Sequence, residues 1–389
     1  MSSAAKSEAE KEHMVPLASA SPKSGRLTSL DVFRGVTVAG MILANNGSGD
    51  SYAPLEHAEW DGWTPTDMIF PSFLFIVGVS ITFALTKRMA VADGVGPLIG
   101  KIVRRSLIIF ALGIFLNTFP DFNKWDRVRI PGVLQRIALC YLAASLIFLF
   151  TKVRGQVVAA VSLLIGYTAL MRYANVPEFG PGDWARGHDL GSYLDRLLLP
   201  GHIYKKDYDP EGLLSTLPAV ATTLLGILAG HWLRSDRDRS ATCSGLFVAG
   251  FALIVAGSAW NAWVPINKAL WSGSFVLLAA GWSSLGLATC YWFIDVLDYR
   301  RWAGPFRVLG VNPITAYTLA AVGARLLNTP YFAGGEGEKL VSVHRVYYGN
   351  YLAPYLWPMN ASLAYAGSIL LACILVVWIM DLLNLHVRA

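Results

Sequence analysis

The chain has 389 residues, of which 54% are hydrophobic and only 15% are charged, and its mean hydropathy is +0.46. These values exclude a soluble globular domain of this length and indicate a polytopic membrane protein. The net charge of +6 comes from basic residues scattered over short loops, so it indicates orientation in a membrane and not a nucleic-acid surface.

The first 26 residues are polar and charged, and they lack the apolar central region of a signal peptide. We therefore predict a disordered cytoplasmic tail over residues 1–26 and one transmembrane domain over residues 27–389.

Apolar runs along the rest of the chain predict an all-α fold of about ten transmembrane helices. The first run contains Asp31 and Arg34, whose i, i+3 spacing lets them pair on one helix face. The runs cover residues 28–45, 67–86, 103–119, 132–150, 155–173, 212–233, 242–260, 270–294, 308–327 and 361–383.

The distribution of basic residues sets the predicted orientation. Most Lys and Arg outside the spans fall on one side of the membrane, which predicts cytoplasmic N- and C-termini in an inner (plasma) membrane. The longer loops, 174–211 and 328–358, then lie on the outer side, together with the loop that contains His57. The four cysteines, all in apolar runs at irregular spacings, are predicted to be packing residues, and we expect no metal site.

The loop between the first two predicted spans combines His57 with several carboxylates beside a membrane. A histidine is suited to general base catalysis near neutral pH, and Asp67, Asp61 or Asn45 could fix its tautomer. A solvated loop histidine is the alternative. Thr64 and Asp67 also have the spacing of a helix cap, so Asp67 has a structural alternative as well.

At these residues the chain resembles the heparan-alpha-glucosaminide N-acetyltransferase family, whose members use cytosolic acetyl-CoA to acetylate a terminal glucosamine across a membrane. The similarity covers roughly residues 26–383, and its segments occur in the same order along the chain. The matching segments are SLDVFRG (29–35), the turn at Asn45, HAEWDGWT (57–64), Asp67, FPSFLFIVG (70–78), WDRVRIPGVLQR (125–136), YDPEGLLST (208–216), PINKALWS (265–272) and GVNPI (310–314).

The resemblance implies a transmembrane acyltransferase fold, acetyl-CoA as co-substrate and His57 as the catalytic residue. It also places Asn45 and Asp67 at the same site. The animal enzymes carry a lumenal domain and an additional span before this region, whereas here only a short polar tail precedes it. The expected acceptor is therefore a broad class, an amino sugar or glycan on the outer side.

Polar residues elsewhere in the spans are candidates for binding the two substrates. Arg104 and Arg105, at the cytoplasmic start of the third span, suit the phosphates of coenzyme A, with Asn312 at the coenzyme entrance. Positive-inside anchoring is the alternative for the two arginines. The residues predicted to contact the acceptor are Asn46, Trp60, Arg136, Asn267, Lys268 and Trp271.

Three other functions compete with N-acetyl transfer. A transporter of a small polar solute also uses buried charges and broken helices, although the sequence shows no internal repeat. An O-acetyltransferase of an envelope polysaccharide would share the topology, and a non-catalytic membrane scaffold is the third alternative. We expect membrane lipid around the protein and a possible homodimer.

Overall fold

The computed structural model describes residues 27–91, 94–123, 125–332 and 340–385, and the predicted tail at 1–26 lies outside this part of the chain. These residues form thirteen α-helices, which confirms the all-α prediction. The helices are α1 Thr28–Asn45, α2 Ile69–Met89, α3 Gly96–Thr118, α4 Val133–Phe150, α5 Val153–Tyr173, α6 Leu190–Leu198, α7 Thr216–Leu233, α8 Arg239–Trp260, α9 Gly273–Tyr291, α10 Gly304–Val311, α11 Pro313–Asn328, α12 Val343–Tyr347 and α13 Pro358–Leu382.

Short elements occupy the connections between the helices. Single 3₁₀ turns cover Ala53–Leu55, Pro65–Met68 and Trp125–Arg127, and π turns cover Trp292–Val296 and Tyr348–Leu352. Two antiparallel strand pairs lie in the long loops: β1 Asn175–Val176 with β2 Gly180–Pro181, and β3 Pro330–Phe332 with β4 Val341–Ser342.

Seven helices in the described residues are long and apolar enough to cross a membrane, which confirms a polytopic protein. The other three predicted spans are also helical, but each departs from a simple apolar span for a visible reason. Helix α1 contains an ion pair, and α3 contains three basic residues. The ninth predicted span is broken at Asn312 into α10 and α11, and α11 has only 16 residues.

The burial of the spans separates central helices from peripheral ones. The spans built on α2 and α9 are each 72% buried inside the protein, whereas α5 is only 22% buried and α8 and α13 are 28% buried. The side chains of Phe75, Leu224 and Phe275 are almost completely inaccessible in the middle of the bundle. Helices α2, α7 and α9 therefore form the core, and α5, α8 and α13 present apolar side chains at its periphery.

Glycine permits direct backbone contact at two helix crossings. A Cβ atom on Gly78 of α2 would lie 1.9 Å from a carbonyl oxygen of α7, and one on Gly226 of α7 would lie 2.0 Å from a carbonyl oxygen of α2. Gly35 and Gly310 join α1 to α10 in the same way, with distances of 1.7 Å. Small residues at such crossings are the usual means of close helix packing in membranes.

The loops that were predicted to share the outer side do contact one another. Asn267, between α8 and α9, donates to the Asp61 carboxylate in the loop before α2 at 3.1 Å. Arg129, before α4, forms an ion pair with Asp209, before α7, at 2.5 Å. These loops therefore gather at one end of the bundle, as the predicted topology requires.

The loops that were predicted to be cytoplasmic gather at the opposite end. Arg234 at the end of α7 donates to the Thr86 hydroxyl near the end of α2 at 2.6 Å. Arg307 in α10 forms an ion pair with Asp381 near the end of α13 at 2.7 Å. Which end faces the cytoplasm stays a prediction. The end that is predicted to face the cytoplasm is called the inner end, and the opposite end is called the outer end.

Asp195 of α6 fixes the start of α7 at the outer end. Its buried carboxylate accepts a hydrogen bond from the Leu213 amide at 2.8 Å. Burial raises the pKa of Asp195 to about 6, although the Leu213 amide opposes this shift. The folded protein therefore binds a proton at this carboxyl more tightly than the unfolded chain does.

The raised pKa of Asp195 predicts a pH-dependent loss of stability. Its contribution is complete below about pH 4, where both states are protonated, and is lost as the pH rises through about 6. We expect Asp195→Asn to match the parent protein at low pH and to exceed it at neutral pH, by up to about 3 kcal/mol. Thermal unfolding in detergent at the two pH values measures this difference, with the exposed Asp50→Asn as control. An equal difference at both pH values would contradict the prediction.

Candidate active site

The His57 loop is held by the cap that begins the second predicted span. Thr64 is the N-cap of the 3₁₀ turn that precedes α2, and the Thr64 and Asp67 side chains form the predicted capping box. The Oδ2 atom of Asp67 accepts from the Thr64 amide at 3.0 Å, the Thr64 hydroxyl at 3.1 Å and the Ala58 amide at 3.1 Å. The carboxylate therefore ties both ends of the segment 58–64 together.

The other carboxylate oxygen of Asp67 contacts the imidazole of His57. Nδ1 of His57 lies 2.7 Å from Oδ1 of Asp67. The Asp67 side chain is 1% exposed, whereas the His57 side chain is 52% exposed. When Nδ1–H donates to Asp67, the lone pair of Nε2 is directed away from the carboxylate, and Nε2 has no protein partner among the described residues. This arrangement holds a histidine as a base with its reactive nitrogen accessible.

Lys268 is the third member of this cluster. Its ammonium group donates to Asp67 Oδ1 at 3.2 Å. Nζ also lies 3.0 Å from His57 Nδ1, and because Nδ1–H and the ammonium are both donors, this second distance is a contact between two donors and not a hydrogen bond. Burial lowers the pKa of the Lys268 amine, and the nearby carboxylate of Asp67 opposes this shift. The structure thus brings together His57, Asp67 and Lys268, which lie up to 211 positions apart in the chain.

The turn that carries Lys268 is rigidly held. The side-chain oxygen of Asn267 accepts from the Leu270 amide at 2.9 Å, and its amide nitrogen donates to Asp61. Trp271 has a backbone φ of 53°, which a bulky residue rarely adopts, and its indole N–H donates to the Thr222 hydroxyl at 3.1 Å. Strain of this kind persists only where the surrounding contacts determine it.

Asn267 and Trp271 are buried, with exposures of 0% and 1%. They therefore support the Lys268 turn from inside the bundle. Their assignment to acceptor binding stays a prediction.

Arg136 lies inside the outer half of the bundle. Its guanidinium is 4.9 Å from the ring centroid of Trp271, and Nη2 donates to the Gly212 carbonyl at 3.1 Å and to the Ser215 hydroxyl. The residue is 1% exposed, and its Nε and Nη1 atoms have no hydrogen-bond partner among the described residues. Only the Nη2 corner of this buried guanidinium is therefore hydrogen-bonded within the described residues.

The remaining predicted outer-site residues are dispersed. Trp60 donates to the Trp184 carbonyl at 2.9 Å and joins the His57 loop to the loop before α6. Asn46 donates to the Ile42 carbonyl at 2.7 Å and so closes the end of α1. Asn45 is exposed at the last position of α1, and no hydrogen bond within the described residues links it to His57.

A cavity of about 290 Å³ has its cationic lining in the inner half of the bundle and extends between the helices to Phe73 and Leu134, near the outer ends of α2 and α4. Arg34, Arg88 and Arg105 contribute to its lining, together with apolar side chains of α2, α3 and α4. The Arg105 guanidinium is 5.0 Å from the ring centroid of Tyr141, and its Nε atom has no hydrogen-bond partner among the described residues. The cavity therefore combines an apolar wall with three cationic groups.

The predicted coenzyme-binding residues are not equivalent in the structure. Arg105 lines the cavity, whereas Arg104 is exposed, because adjacent residues of a helix face different directions. Asn312 is 1% exposed, and neither its side-chain oxygen nor its nitrogen has a partner among the described residues. Its neighbours Val311 and Pro313 line the cavity.

Sequence reasoning missed two cationic groups at this cavity. The predicted pair of Arg34 with Asp31 is confirmed at 3.0 Å, but Arg34 also donates to the Ser80 hydroxyl at 2.8 Å and lines the cavity. Arg88 sits at the end of α2, where positive-inside anchoring alone accounts for a basic residue. Only the position of Arg34 inside an apolar run signalled a further role.

Two of the motif segments meet at the outer end. Arg129 in segment 125–136 donates to both carboxylate oxygens of Asp209 in segment 208–216, at 2.9 and 2.5 Å. It also donates to the carboxylate of Glu211 in the same segment. Glu211, just before α7, is therefore held by an ion pair with Arg129. The ion pair fixes the loop that supplies the Gly212 carbonyl to Arg136.

The cysteines contribute no disulfide to the described structure, because all four are free and buried. This agrees with their predicted role in packing. Among the described residues, no group of three or more His, Cys, Asp or Glu side chains is arranged to hold a metal ion. The expectation that the protein uses no metal stays a prediction.

Comparison with known proteins places these features in a family. Residues 26–259 match the family model described as "Heparan-alpha-glucosaminide N-acetyltransferase, catalytic". The chain is 30% identical to heparan-alpha-glucosaminide N-acetyltransferase of Mus musculus over an alignment of 404 residues, and 30% identical to that of Homo sapiens over 403. The alignments cover 88% of this chain but only 60% and 59% of the two relatives. The matched region includes His57, Asp67, Arg105 and Arg136, and the chain belongs to the heparan-alpha-glucosaminide N-acetyltransferase catalytic family.

Proposed function

We propose that the protein is a transmembrane acetyltransferase that moves an acetyl group from cytosolic acetyl-CoA to an amino sugar or glycan on the outer side. The observation that carries this proposal is the His57 site in a chain of this family. A buried carboxylate orients the imidazole through Nδ1 and leaves Nε2 accessible. This is the arrangement that a base or an acyl-accepting histidine requires.

Two routes of acetyl transfer fit this site. In the direct route, Nε2 takes a proton from the acceptor amine as the amine nitrogen attacks the thioester carbon, and the coenzyme thiolate leaves. In the stepwise route, Nε2 itself attacks the thioester carbon and the C–S bond breaks, which releases the coenzyme thiolate. The amine nitrogen then attacks the acetyl group, the bond to Nε2 breaks, and the amine proton neutralises the thiolate. A search for acetylated protein after rapid mixing with acetyl-CoA alone distinguishes the two, because only the stepwise route forms acetyl-His57 without an acceptor.

The inner cavity supports a binding site for the donor. Its volume, about 290 Å³, lies at the lower end of the range for ligand pockets, so it suits part of the coenzyme and not the whole molecule. Arginine binds phosphate well, and Arg34, Arg88 and Arg105 line the cavity. We assign the phosphates to the arginine-lined end and Asn312 to the polar groups of the pantetheine arm. We assign the exposed Arg104 to phosphate binding at the entrance of the cavity.

The acceptor is assigned to the outer end, where the His57 side chain is exposed. Asn45, Asn46 and Trp60 border this loop, and Arg136 with its unpaired donors lies behind it. This arrangement assumes an inner membrane with both termini in the cytoplasm. The acetylation assays described next identify the terminal sugar and decide between amine and hydroxyl acceptors. Whether the protein is a homodimer stays a prediction.

The test uses purified protein in liposomes with acetyl-CoA and a panel of amino sugars and hydroxylated glycans. We expect acetylation of an amino sugar by the parent protein and a rate about 10³-fold lower for His57→Ala. Acetylation confined to hydroxyl groups would favour the O-acetyltransferase. Solute uptake into the liposomes without acetylation of any acceptor would favour the transporter and overturn the proposal.

Replacement of Arg105 tests the donor site. We expect Arg105→Ala to raise the KM for acetyl-CoA about tenfold, because losing one charge-assisted phosphate contact costs about 1.5–3 kcal/mol, part of which water recovers. Steady-state kinetics at saturating acceptor measures the change. The exposed Arg154→Ala, also at the inner end, is the control and should keep the parent KM. If the two variants shift the KM equally, general surface charge and not the cavity binds the coenzyme.

A further inference from the structure

Two side chains share one carboxylate oxygen at the His57 site. Oδ2 of Asp67 already accepts three hydrogen bonds from Thr64 and Ala58. Oδ1 is therefore the oxygen that serves both His57, at 2.7 Å, and Lys268, at 3.2 Å. A mechanism that involves only His57 and Asp67 leaves the role of Lys268 unexplained.

The charges show what Lys268 changes. A carboxylate that is buried beside a histidine, with no other cation near it, favours the imidazolium, because the two form an ion pair. A histidine held as imidazolium has no lone pair on Nε2 and cannot accept a proton or an acetyl group. An ammonium group 3.0 Å from Nδ1 neutralises the carboxylate and disfavours a second positive charge on the ring.

We propose that Lys268 is a positioning residue whose ammonium group balances the charge of Asp67, so that the carboxylate orients the imidazole of His57 without holding a positive charge on it. This inference deepens the proposed acetyl transfer and rests on it. The sequence-based prediction placed Lys268 among the acceptor-binding residues. Its contacts with His57 and Asp67 instead assign it to the proton chemistry.

The role of Lys268 is the same in both routes of transfer. In the direct route, the N–C bond forms and the C–S bond breaks while the amine proton passes to Nε2. The imidazolium then gives this proton to the coenzyme thiolate, which restores neutral His57. In the stepwise route, the acetylated ring with a proton on Nδ1 is also cationic. Lys268 destabilises both cationic forms and so favours their conversion to products.

The other charged groups around His57 are already paired or exposed to water. Asp61, on the same loop, accepts from Asn267, and Glu56 and Glu59 are exposed. Glu211, before α7, pairs with Arg129. Asp67 and Lys268 are therefore the two charges in direct contact with the imidazole.

Neutral replacement of Lys268 tests the inference through the pH dependence of the rate. For Lys268→Met we expect kcat to fall about 10²-fold near pH 6.5, the lower end of what general base catalysis contributes. The loss should shrink toward about pH 8.5, because the trapped imidazolium then loses its proton. The KM for the acceptor should change less than twofold. Lys268→Arg keeps the charge and should recover most of kcat with the pH profile of the parent.

Two results would overturn the inference. The first is a raised acceptor KM with unchanged kcat, which is expected of a substrate-binding lysine. The second is an equal loss of kcat at both pH values in Lys268→Met and in Lys268→Gln, which indicates a structural role. The exposed Lys206→Met, on the outer loop, should behave as the parent and controls for surface charge.

A measurement without turnover separates this inference from the proposed function. Diethyl pyrocarbonate modifies only the neutral imidazole, so mass spectrometry of the His57 peptide reports the fraction of neutral His57. We expect modification of Lys268→Met to be at least fivefold slower than that of the parent near pH 6.5 and of Lys268→Arg to be unchanged. If the parent acetylates no acceptor, the proposed function fails, whereas equal modification rates in all variants would refute the role of Lys268.

Discussion

Replacement of His57 by alanine is expected to lower kcat for acetyl transfer by about 10³-fold, within the 10² to 10⁴ that a positioned base contributes. Without the imidazole, no other described side chain contacts both Asp67 and Lys268 at this site. The KM for acetyl-CoA should stay near that of the parent, because His57 does not line the cavity that we propose for the donor. Initial rates at saturating substrates measure the effect.

The chain offers a matched control for this prediction. His188 forms a second His–Asp pair on the outer side, with Nδ1 at 2.8 Å from Asp183 Oδ2. His188→Ala removes an imidazole with nearly the same local geometry, and we expect it to retain the parent rate. Comparable losses in the two variants would indicate that His57 acts only through the stability of the outer loops.

The two His–Asp pairs differ in how deeply the aspartate is buried and how firmly it is hydrogen-bonded. The Asp183 side chain is 35% exposed, whereas Asp67 is 1% exposed and its second oxygen is filled by three donors. A buried carboxylate whose two oxygens are both hydrogen-bonded holds a neighbouring imidazole in one orientation. An exposed carboxylate moves with its loop. His188 also stacks on Phe179, with ring centroids 3.9 Å apart, and no lysine among the described residues forms a hydrogen bond or ion pair with this pair. A His–Asp pair alone therefore does not identify the site.

The fold was predictable because a membrane span requires an apolar run and a helix satisfies its own backbone hydrogen bonds. The capping box at Thr64 and Asp67 and the pair of Asp31 with Arg34 were also predictable, since both are local in sequence. The division of the ninth span at Asn312 followed from Asn312 and Pro313. In each case the deciding contacts lie within a few residues.

Contacts between distant segments were the part that sequence patterns left open. Nothing in the local sequence around Lys268 indicates that its ammonium group reaches His57, 211 positions away. Trp271 looks like an interfacial tryptophan in sequence, yet it packs inside the bundle because Thr222 and the Arg136 guanidinium meet it there. Such pairings depend on how the helices pack, and hydropathy does not encode that.

Asp67→Asn is the second substitution with a large expected effect, because the amide cannot reproduce both faces of the carboxylate. If its oxygen faces Thr64 and Ala58, its NH₂ group faces His57 Nδ1 and the Lys268 ammonium. If it flips, the NH₂ group faces three donors instead. Either orientation leaves buried donors unpaired, at about 1–3 kcal/mol of stability, and either frees Lys268 from its counterion.

The pH dependence of kcat in Asp67→Asn shows whether Asp67 orients His57 or acts only through its negative charge. In the first orientation, the amide donates to Nδ1, so the proton moves to Nε2 and the lone pair needed for catalysis is lost. We expect kcat to fall about 10²- to 10³-fold. The loss should persist at high pH, because a wrong tautomer is not corrected by deprotonation, whereas the loss in Lys268→Met recovers there. Rates of both variants across the same pH range, with Asp183→Asn as the matched control, measure this contrast. Recovery of Asp67→Asn at high pH would show that Asp67 acts through its charge alone and not by fixing the tautomer of His57.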